Sequence, residues 1–240
     1  MSAIASVAKK EFRAFFQSPI AYVFITLFLV LSLWIFFFLS NFFLVGQSTL
    51  RTLFDWIPIT FLIFVPAVTM RMWAEEQKLG TAEILLTFPV RDWEVVLGKF
   101  LAGLAFLAVA ILLTLPLAGT IAWLGNPDDG AVIAGYIGSL FVGATYLAIG
   151  LWVSSLTQNQ IVAFLISIII CFVLYIVGIP VILASLPDWL VPFVANLSLG
   201  SHYDSMGRGV IDSRDILYYV SIIFFFLFLN VQTIASRRWS

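Results

Sequence analysis

The residues best suited to chemistry in this chain are concentrated in one stretch, RMWAEEQKLGTAEILLTFPVRDWEVVLGK, which runs from Arg71 to Lys99. It holds nine charged residues of a chain that has only 12 basic and 13 acidic ones. Carboxylates, amines and guanidinium groups in this mixture form ion pairs and recognise charged partners. The chain has no GxxxxGK[ST] phosphate loop, so it lacks the usual means of binding and hydrolysing a nucleotide. The stretch therefore indicates ionic recognition.

A second group that suggests chemistry is the run of His202, Tyr203 and Asp204. These side chains are typical metal ligands and proton carriers. A lone histidine, however, supplies too few ligands for a closed zinc site. The sequence also contains no HExxH motif, no GxSxG elbow and no second histidine. We therefore expect a structural role for this run, with no catalytic residue and no metal site.

Composition decides which elements must hold these residues. The chain is 62% hydrophobic and 10% charged, with a mean hydropathy of +1.09. Soluble domains average about 45–50% apolar and ~25% charged residues, so this chain belongs in a bilayer. We predict an all-α integral membrane protein. The net charge of −1 and the lack of a basic stripe give no sign of nucleic-acid binding.

Six apolar runs are candidates for membrane-spanning helices, each of which needs roughly 20 residues. The second run is short as delimited, and Pro58 and Pro66 are expected to bend it. No repeat or soluble domain interrupts the pattern, so we predict a single transmembrane domain over residues 1–240. The six runs are residues 20–45, 56–70, 95–124, 131–156, 161–183 and 216–235.

The distribution of basic residues predicts the orientation. Six spans place both termini on one side of the membrane, and that side carries nine of the 12 Lys and Arg residues. The other side has only Arg51, Arg208 and Arg214. Because cytoplasmic loops are enriched in Lys and Arg, both termini and the charged stretch are predicted to be cytoplasmic.

Residues 1–18 are predicted to form an amphipathic helix in the membrane interface, with the basic residues opposite a broad apolar face. Glu11 is the exception, because a helical rotation of ~100° per residue puts it near the middle of the apolar face. Two interpretations stay open. The carboxylate reaches towards the headgroups, or it is partly buried and paired with a cation of the charged stretch, such as Arg71 or Arg91.

The charged stretch is predicted to be a cytoplasmic loop at residues 71–96, because each charge at mid-membrane costs roughly 2.5–3.5 kcal/mol. Within it, GTAEILLTFP has the pattern of a short helix. Glu83 lies in the first turn, where the helix dipole favours an acid, and Pro89 ends the pattern. Apolar residues rimmed by charge favour a docking surface. A membrane-surface hairpin without a partner is the alternative.

Three segments carry a family resemblance: EEQKLGTAEILLTFPVRDWEVVLGK, KKEFRAFFQSP near the N-terminus, and HYDSMGRGVIDSRDILYY before the last apolar run. Together they resemble the permease subunits of type-2 ABC exporters, and most closely the gliding-motility-associated permeases. The resemblance covers nearly the whole chain. It implies an N-terminal elbow helix, a cytoplasmic coupling helix, a location in the bacterial inner membrane, and a dimer with itself or with a related permease.

In such permeases the coupling helix sits in a groove of a separate ATPase subunit and converts nucleotide-driven closure into helix movement. The resemblance therefore implies that ATP and Mg²⁺ bind the partner, and that this chain has no cofactor and no enzymatic activity. Acidic residues of the loop would pair with cations of the ATPase, and leucines would fill its groove. The matching positions are Glu75, Glu76, Gly80, Thr81, Glu83, Leu85, Leu86 and Pro89.

Residues 178–215 are predicted to form an outer-side re-entrant segment. The first part is apolar, but prolines interrupt it and Asp188 would lie near mid-membrane in a full span. Broken helices persist at membrane depth only where protein covers them or where they line a cavity. The family resemblance implies short helices near an outer gate, with Pro187 and Pro192 fixing the bend.

The predicted spans contain almost no ionisable residues, which argues against a proton- or ion-coupled transporter. A pore would then be lined by neutral polar side chains, although each of these also suits helix–helix hydrogen bonding. The candidates are Asn41, Thr114, Thr145, Asn230 and Gln232.

We predict a membrane permease that couples ATP hydrolysis by a separate subunit to the export of a substrate. One alternative with the same fold is a mechanical transducer that acts on an outer-side accessory protein without transport. Another, from a different class, is a small integral-membrane enzyme. The outer loops speak against it, because we identify no nucleophile–base pair in them. Lipid is a partner in every case.

The predicted topology is testable by thiol labelling in intact cells. Single cysteines at positions 78 and 128, on a Cys171→Ala background, are treated with a membrane-impermeant reagent. Position 128 is expected to react and position 78 to react only after the cells are permeabilised, because the basic residues place the charged stretch inside. The reverse pattern would contradict the orientation.

Overall fold

The computed structural model describes residues 3–39, 49–81, 90–125 and 127–237, and within these ranges the chain is all helical. The fold class is thus as predicted. A π-helical turn, Ile35–Leu39, extends α2. The helices are α1 Ala3–Gln17, α2 Pro19–Trp34, α3 Arg51–Lys78, α4 Asp92–Leu112, α5 Leu115–Leu124, α6 Asp129–Leu156, α7 Gln160–Ile176, α8 Pro180–Leu183, α9 Val191–Leu197, α10 Leu199–Gly207 and α11 Ser213–Arg237.

Five helical segments of the described chain are long and apolar enough to cross a membrane, and the shorter apolar helix α7 corresponds to the remaining predicted run. The predicted run 161–183 was too long, because the helix ends at Ile176 and a turn follows before Pro180. The predicted run 56–70 was too short. The five segments are Pro19–Leu39, Arg51–Lys78, Asp92–Leu124, Asp129–Leu156 and Ser213–Ser236.

Helices α3 and α6 form the centre of the bundle. Most of their side chains are buried, whereas α2, α7 and α11 each expose an apolar face. Helices α3 and α6 pack closely at Gly150, where a Cβ atom would collide with the side chain of Thr69. Small residues at such crossings let membrane helices pack closely. Close packing matters there because lipid supplies little hydrophobic driving force for helix association.

Helix α3 stays continuous although Pro58 and Pro66 lie inside it. Proline has no N–H, so Pro58 cannot donate to the carbonyl oxygen of Phe54 four residues earlier. Tyr203 of α10 replaces that donor, with its hydroxyl 2.8 Å from Phe54 O. Burial raises the pKa of Tyr203, which keeps the hydroxyl protonated as a donor.

The predicted outer segment 178–215 contains three short helices in place of one spanning helix. Pro187 lies in the turn between α8 and α9, where its carbonyl accepts the Leu190 N–H, and Pro192 lies in the first turn of α9. Both prolines therefore stand where the chain bends. Helices α8 and α9 bury no residue, and Phe193 is 71% exposed.

By contrast, α10 is fixed to the bundle through Asp215 at the start of α11. One Asp215 oxygen lies 2.6 Å from Nδ1 of His202, and the other accepts a hydrogen bond from Ser205 Oγ. The His202 ring stacks on Tyr218 with centroids 4.0 Å apart, and its Nε2 lies 3.1 Å from the carbonyl oxygen of Asn196. The histidine singled out by the sequence thus joins α9, α10 and α11.

Removing the Tyr203 hydroxyl tests the replacement of the missing helix donor. Tyr203→Phe is expected to destabilise the protein by about 1–3 kcal/mol, because it leaves the buried Phe54 carbonyl unsatisfied. In a Pro58→Ala background the backbone N–H restored at position 58 donates to that carbonyl, so the same substitution is expected to cost much less. Denaturant unfolding in mild detergent measures both. Equal losses in the two backgrounds would contradict the interpretation.

Candidate functional site

Helix α1 lies where the sequence predicts an amphipathic helix over residues 1–18, and it packs along α4. Phe15 of α1 stacks on Phe106 of α4 with ring centroids 5.0 Å apart, and Phe16 lies 5.8 Å from the same ring. Val7 lies close to Gly98, where a larger residue on α4 would collide with it. Helix α1 is therefore held against the bundle by apolar contacts along the face on which Glu11 stands.

Glu11, Glu76 and Lys99 form a buried ionic cluster, which we call the Lys99 cluster. Nζ of Lys99 lies 2.8 Å from Glu76 Oε1 and 3.3 Å from Glu11 Oε1, and it donates to the carbonyl oxygen of Met72 at 2.9 Å. The Lys99 side chain is 0% exposed. Its ammonium group also lies 4.8 Å from the ring centroid of Trp73. The cluster joins α1, α3 and α4 at one point.

The cluster corrects the expected partner of Glu11. Pairing with Arg71 or Arg91 was wrong, because Arg71 points to Ser18 and Arg91 stands at the N-terminus of α4. The interpretation of a partly buried carboxylate paired with a cation of the charged stretch holds, with Lys99 as that cation. The sequence already contained a sign that Lys99 is important. It falls inside the predicted apolar run 95–124, and an ionisable residue in a span marks a functional site.

Helix α6 holds the end of α3 from another side. Ser154 Oγ lies 3.1 Å from both the Trp73 and the Ala74 amide nitrogens and donates to Met70 O at 2.9 Å. One turn later, Gln77 Nε2 donates to Ser155 O at 2.9 Å. These hydrogen bonds and the Lys99 cluster fix residues 70–77 of α3 to α4 and α6 together.

The predicted coupling loop 71–96 is helical at both ends, and its residues 82–89 lie outside the described residues. Residues 71–78 continue α3, and Asp92 already begins α4. Gly80 ends α3 with a φ of 71°, a left-handed conformation that glycine adopts without steric cost at a helix C-terminus. The hydroxyl of Thr81 donates to Glu76 O at 3.3 Å. Helix α3 therefore ends immediately beside the Lys99 cluster.

The predicted coupling residues divide into two groups. Glu75, Glu76, Gly80 and Thr81 are described, and all lie at or just beyond the end of α3. Glu76 is engaged within the chain by Lys99, whereas the Glu75 side chain makes no hydrogen bond or ion pair with any described residue. The others lie outside the described residues: Glu83, Leu85, Leu86 and Pro89.

A groove of about 260 Å³ opens between α1 and the end of α3. Three carboxylates line it, those of Glu11, Glu75 and Glu76, together with Arg71 and the apolar side chain of Leu79. Since Glu11 and Glu76 already pair with Lys99, Glu75 is the acid of this groove that is free to meet a partner's cation.

Of the polar residues suggested for a pore, Thr114 lies between α4 and α5 and donates to the carbonyl of Ile111 in α4, and Thr145 donates to the carbonyl of Phe141 in its own helix. Asn230 is fully buried, and neither atom of its amide has a hydrogen-bond partner among the described residues. Gln232 is exposed, and Asn41 lies outside the described residues. The cavity between α2, α3 and α4 is lined by apolar side chains such as Phe24. Among the described residues it therefore does not form a polar passage.

The chain matches a known protein family over almost its entire length. Residues 5–235 match the family described as ABC-2 family transporter protein. Comparison with curated protein sequences gave no significant match. The matched region runs from α1 to α11, so it includes both the Lys99 cluster and the outer short helices.

Replacing Lys99 by a neutral residue tests whether its positive charge offsets the negative charges of Glu11 and Glu76. Lys99→Met is expected to destabilise the protein by about 3–5 kcal/mol, because it leaves two carboxylates without their buried partner. The triple variant Lys99→Met, Glu11→Gln, Glu76→Gln removes the unbalanced charge and is expected to recover most of the loss. Denaturant unfolding in detergent gives both values, and equal loss in the single and triple variants would contradict charge balance.

Proposed function

The chain belongs to the ABC-2 family of transporter proteins. We propose that it is an exporter permease whose α3–α4 connection is moved by a separate ATPase subunit. The finer assignment to gliding-motility-associated permeases rests on the sequence resemblance alone. Within this proposal the bacterial inner membrane holds the chain with both termini in the cytoplasm.

One observation carries the coupling proposal: Lys99 of α4 pairs with Glu76 near the end of α3, so the Lys99 cluster links the two helices that the connection joins. The connection leaves α3 just after Glu76 and enters α4 two turns before Lys99. A force on the connection therefore reaches α1, α3 and α4 through the contacts of Lys99, and α6 through Ser154. Packed helices of this kind pass a small local shift on as a rigid-body movement.

The ATPase partner is expected to meet this surface through both charge and apolar contact. Glu75 offers a carboxylate at the groove, and Thr81 and Gly80 bring the chain away from α3 towards the partner. Leu85 and Leu86 supply the apolar part of the contact. ATP and Mg²⁺ bind the ATPase in this scheme, so this chain needs no cofactor of its own.

A second permease, either another copy or a relative, would complete the transporter. Helices α2 and α7 present apolar side chains that nothing in the described chain covers, and the π-helical turn after α2 adds more, with Phe38 at 70% and Ile161 at 68% exposure. Lipid covers part of such surfaces, and a partner helix covers the rest in a dimer. The substrate passage would then lie between two copies, which agrees with the apolar interior of one copy.

The mechanical transducer is a second candidate, which the outer short helices favour. Trp189 and Phe193 are 69% and 71% exposed on a segment whose C-terminal end bonds to the bundle at Asn196 and Leu197. Large exposed aromatic side chains mark interaction surfaces. An outer-side accessory protein that contacts them would receive movement without transport. An enzyme is disfavoured, because Ser205 and His202 both bond to Asp215 and form no nucleophile–base pair with each other.

Two substitutions in the connection test the coupling role. Glu83→Lys and Leu85→Asp are expected to weaken co-purification with the ATPase by about tenfold, because one reverses a charge and the other places a carboxylate in an apolar contact. The folded permease itself is expected to remain stable. Asp188→Lys and Val181→Asp make the same kinds of chemical change at exposed positions of the outer segment and serve as controls. Unchanged ATPase binding in both test variants would contradict the proposal.

A further inference from the structure

A pocket of about 220 Å³ opens at the end of the bundle opposite the Lys99 cluster, where α3 and α6 begin and α10 ends. Two arginines line it, Arg51 and Arg208, and the buried side chains of Leu50 and Phe54 form part of its wall. The sequence predicts only three basic residues on this side of the membrane. Because two of the three share one pocket, most of the positive charge of this side is concentrated there.

Neither arginine forms an ion pair within the described chain, where the ion pairs involve other side chains. The Nε atom of Arg208 donates to the carbonyl oxygen of Asp204 at 3.1 Å, which leaves both terminal amino groups of the guanidinium available. Asp55, one helical turn from Arg51, offsets part of its charge without occupying its donors. Residues 40–48 and 126, which adjoin the pocket in sequence, include no acid.

The one acid among the described lining residues, Asp128, is already engaged. Its Oδ1 accepts hydrogen bonds from the backbone N–H groups of Gly130 at 2.9 Å and Ala131 at 3.4 Å, so it caps the first turn of α6. An acid in this position offsets the partial positive charge of the helix N-terminus. The two guanidinium groups therefore remain the charges of the pocket that are available to a ligand.

The turn after α10 fixes Arg208 beside α6. Gly209 has a φ of 91°, which residues with a side chain rarely adopt, and a Cβ atom there would lie 3.0 Å from the Cα atom of Ala131. Glycine thus allows the end of α10 to turn closely against the first turn of α6. Arg51 stands in the first turn of α3, so the backbone brings the two arginines to the pocket from separate helices.

Residues around the pocket mark the level of the lipid headgroups. Trp123 lies near the end of α5, four residues before the lining residue Pro127, and is 88% exposed. Val210 and Ile211, which follow Gly209, are 60% and 44% exposed. Tryptophan is enriched where the membrane meets water, and exposed apolar side chains beside it favour contact with lipid over water. The pocket therefore opens where the phosphate groups of phospholipids lie.

We propose that this pocket binds the phosphate group of an anionic phospholipid, whose acyl chains lie along the apolar side chains of the bundle. Arg51 and Arg208 donate charge-assisted hydrogen bonds to the phosphate oxygens, to which the planar guanidinium group is well matched. The bound lipid links α3, α6 and α10 at the end of the bundle opposite the Lys99 cluster. This inference does not depend on the proposed coupling function.

Native mass spectrometry of the purified, delipidated permease tests the proposal. Phosphatidylglycerol is expected to bind about tenfold more tightly than phosphatidylcholine with the same acyl chains, because the arginines repel the choline cation. Arg51→Gln and Arg208→Gln are each expected to weaken phosphatidylglycerol binding about tenfold, because each removes charge-assisted hydrogen bonds to the phosphate. Arg214→Gln is the matched control. It makes the same change at an exposed arginine that does not line the pocket, and binding is expected to stay unchanged.

Three outcomes would overturn the proposal. Equal binding of the two lipids, or an equal loss in Arg214→Gln, would show attraction without a defined site. Displacement of phosphatidylglycerol by millimolar inorganic phosphate would assign the pocket to a free anion, whereas a phospholipid is expected to stay bound through its acyl chains. Thermal unfolding without added lipid is expected to be the same in the three variants and the unaltered chain, because these arginines are exposed and form no ion pair with a described residue.

Discussion

A buried ammonium group requires partners, and the half of the bundle where α3 ends and α4 begins is arranged around that requirement. Lys99 is fully enclosed, so its charge is tolerable only because carboxylates and a backbone carbonyl surround it. Those partners come from two other helices, which must therefore meet α4 at the depth of Lys99. The amphipathic α1, the extended end of α3 and the start of the α3–α4 connection all take their positions from this point. In the proposed coupling function, a force applied at the connection would reach the bundle through this cluster, which links α3 and α4.

The opposite half, which holds α10 and the start of α11, is organised by a different constraint, the need to satisfy backbone and side-chain polar groups where water is scarce. Pro58 leaves a carbonyl without its helix donor, and Tyr203 supplies one from α10. Asp215 is buried and receives both His202 and Ser205. These polar contacts all fix α10, which also buries Leu199, Tyr203 and Met206 in the bundle. The exposed helices α8 and α9 come directly before this fixed region, and they are free to contact something outside the chain.

Much of the architecture was predictable from the sequence, because apolar runs of about 20 residues have few alternatives to a membrane helix. The ends of the helices were harder. Residues 71–78 are polar enough to suggest a loop, yet they continue α3, because Lys99 and Ser154 engage that part of the helix from other elements. The partner of Glu11 was missed for a related reason. Its helical position predicted burial, but only the packing of α1 on α4 shows which cation it meets. Sequence periodicity describes one helix at a time, whereas ion pairs depend on two.

The hydrogen bond from Tyr203 to the carbonyl of Phe54 has an evolutionary consequence. Because the acceptor is a main-chain atom, the bond is indifferent to the side chain at position 54. It depends on a proline four residues later, which leaves that carbonyl available, and on a hydroxyl that approaches from α10. Positions 58 and 203 are therefore expected to change together among descendants of this chain, although they lie far apart in sequence. Residue 54 contributes only its main-chain carbonyl to the bond, so its side chain is not expected to change with positions 58 and 203.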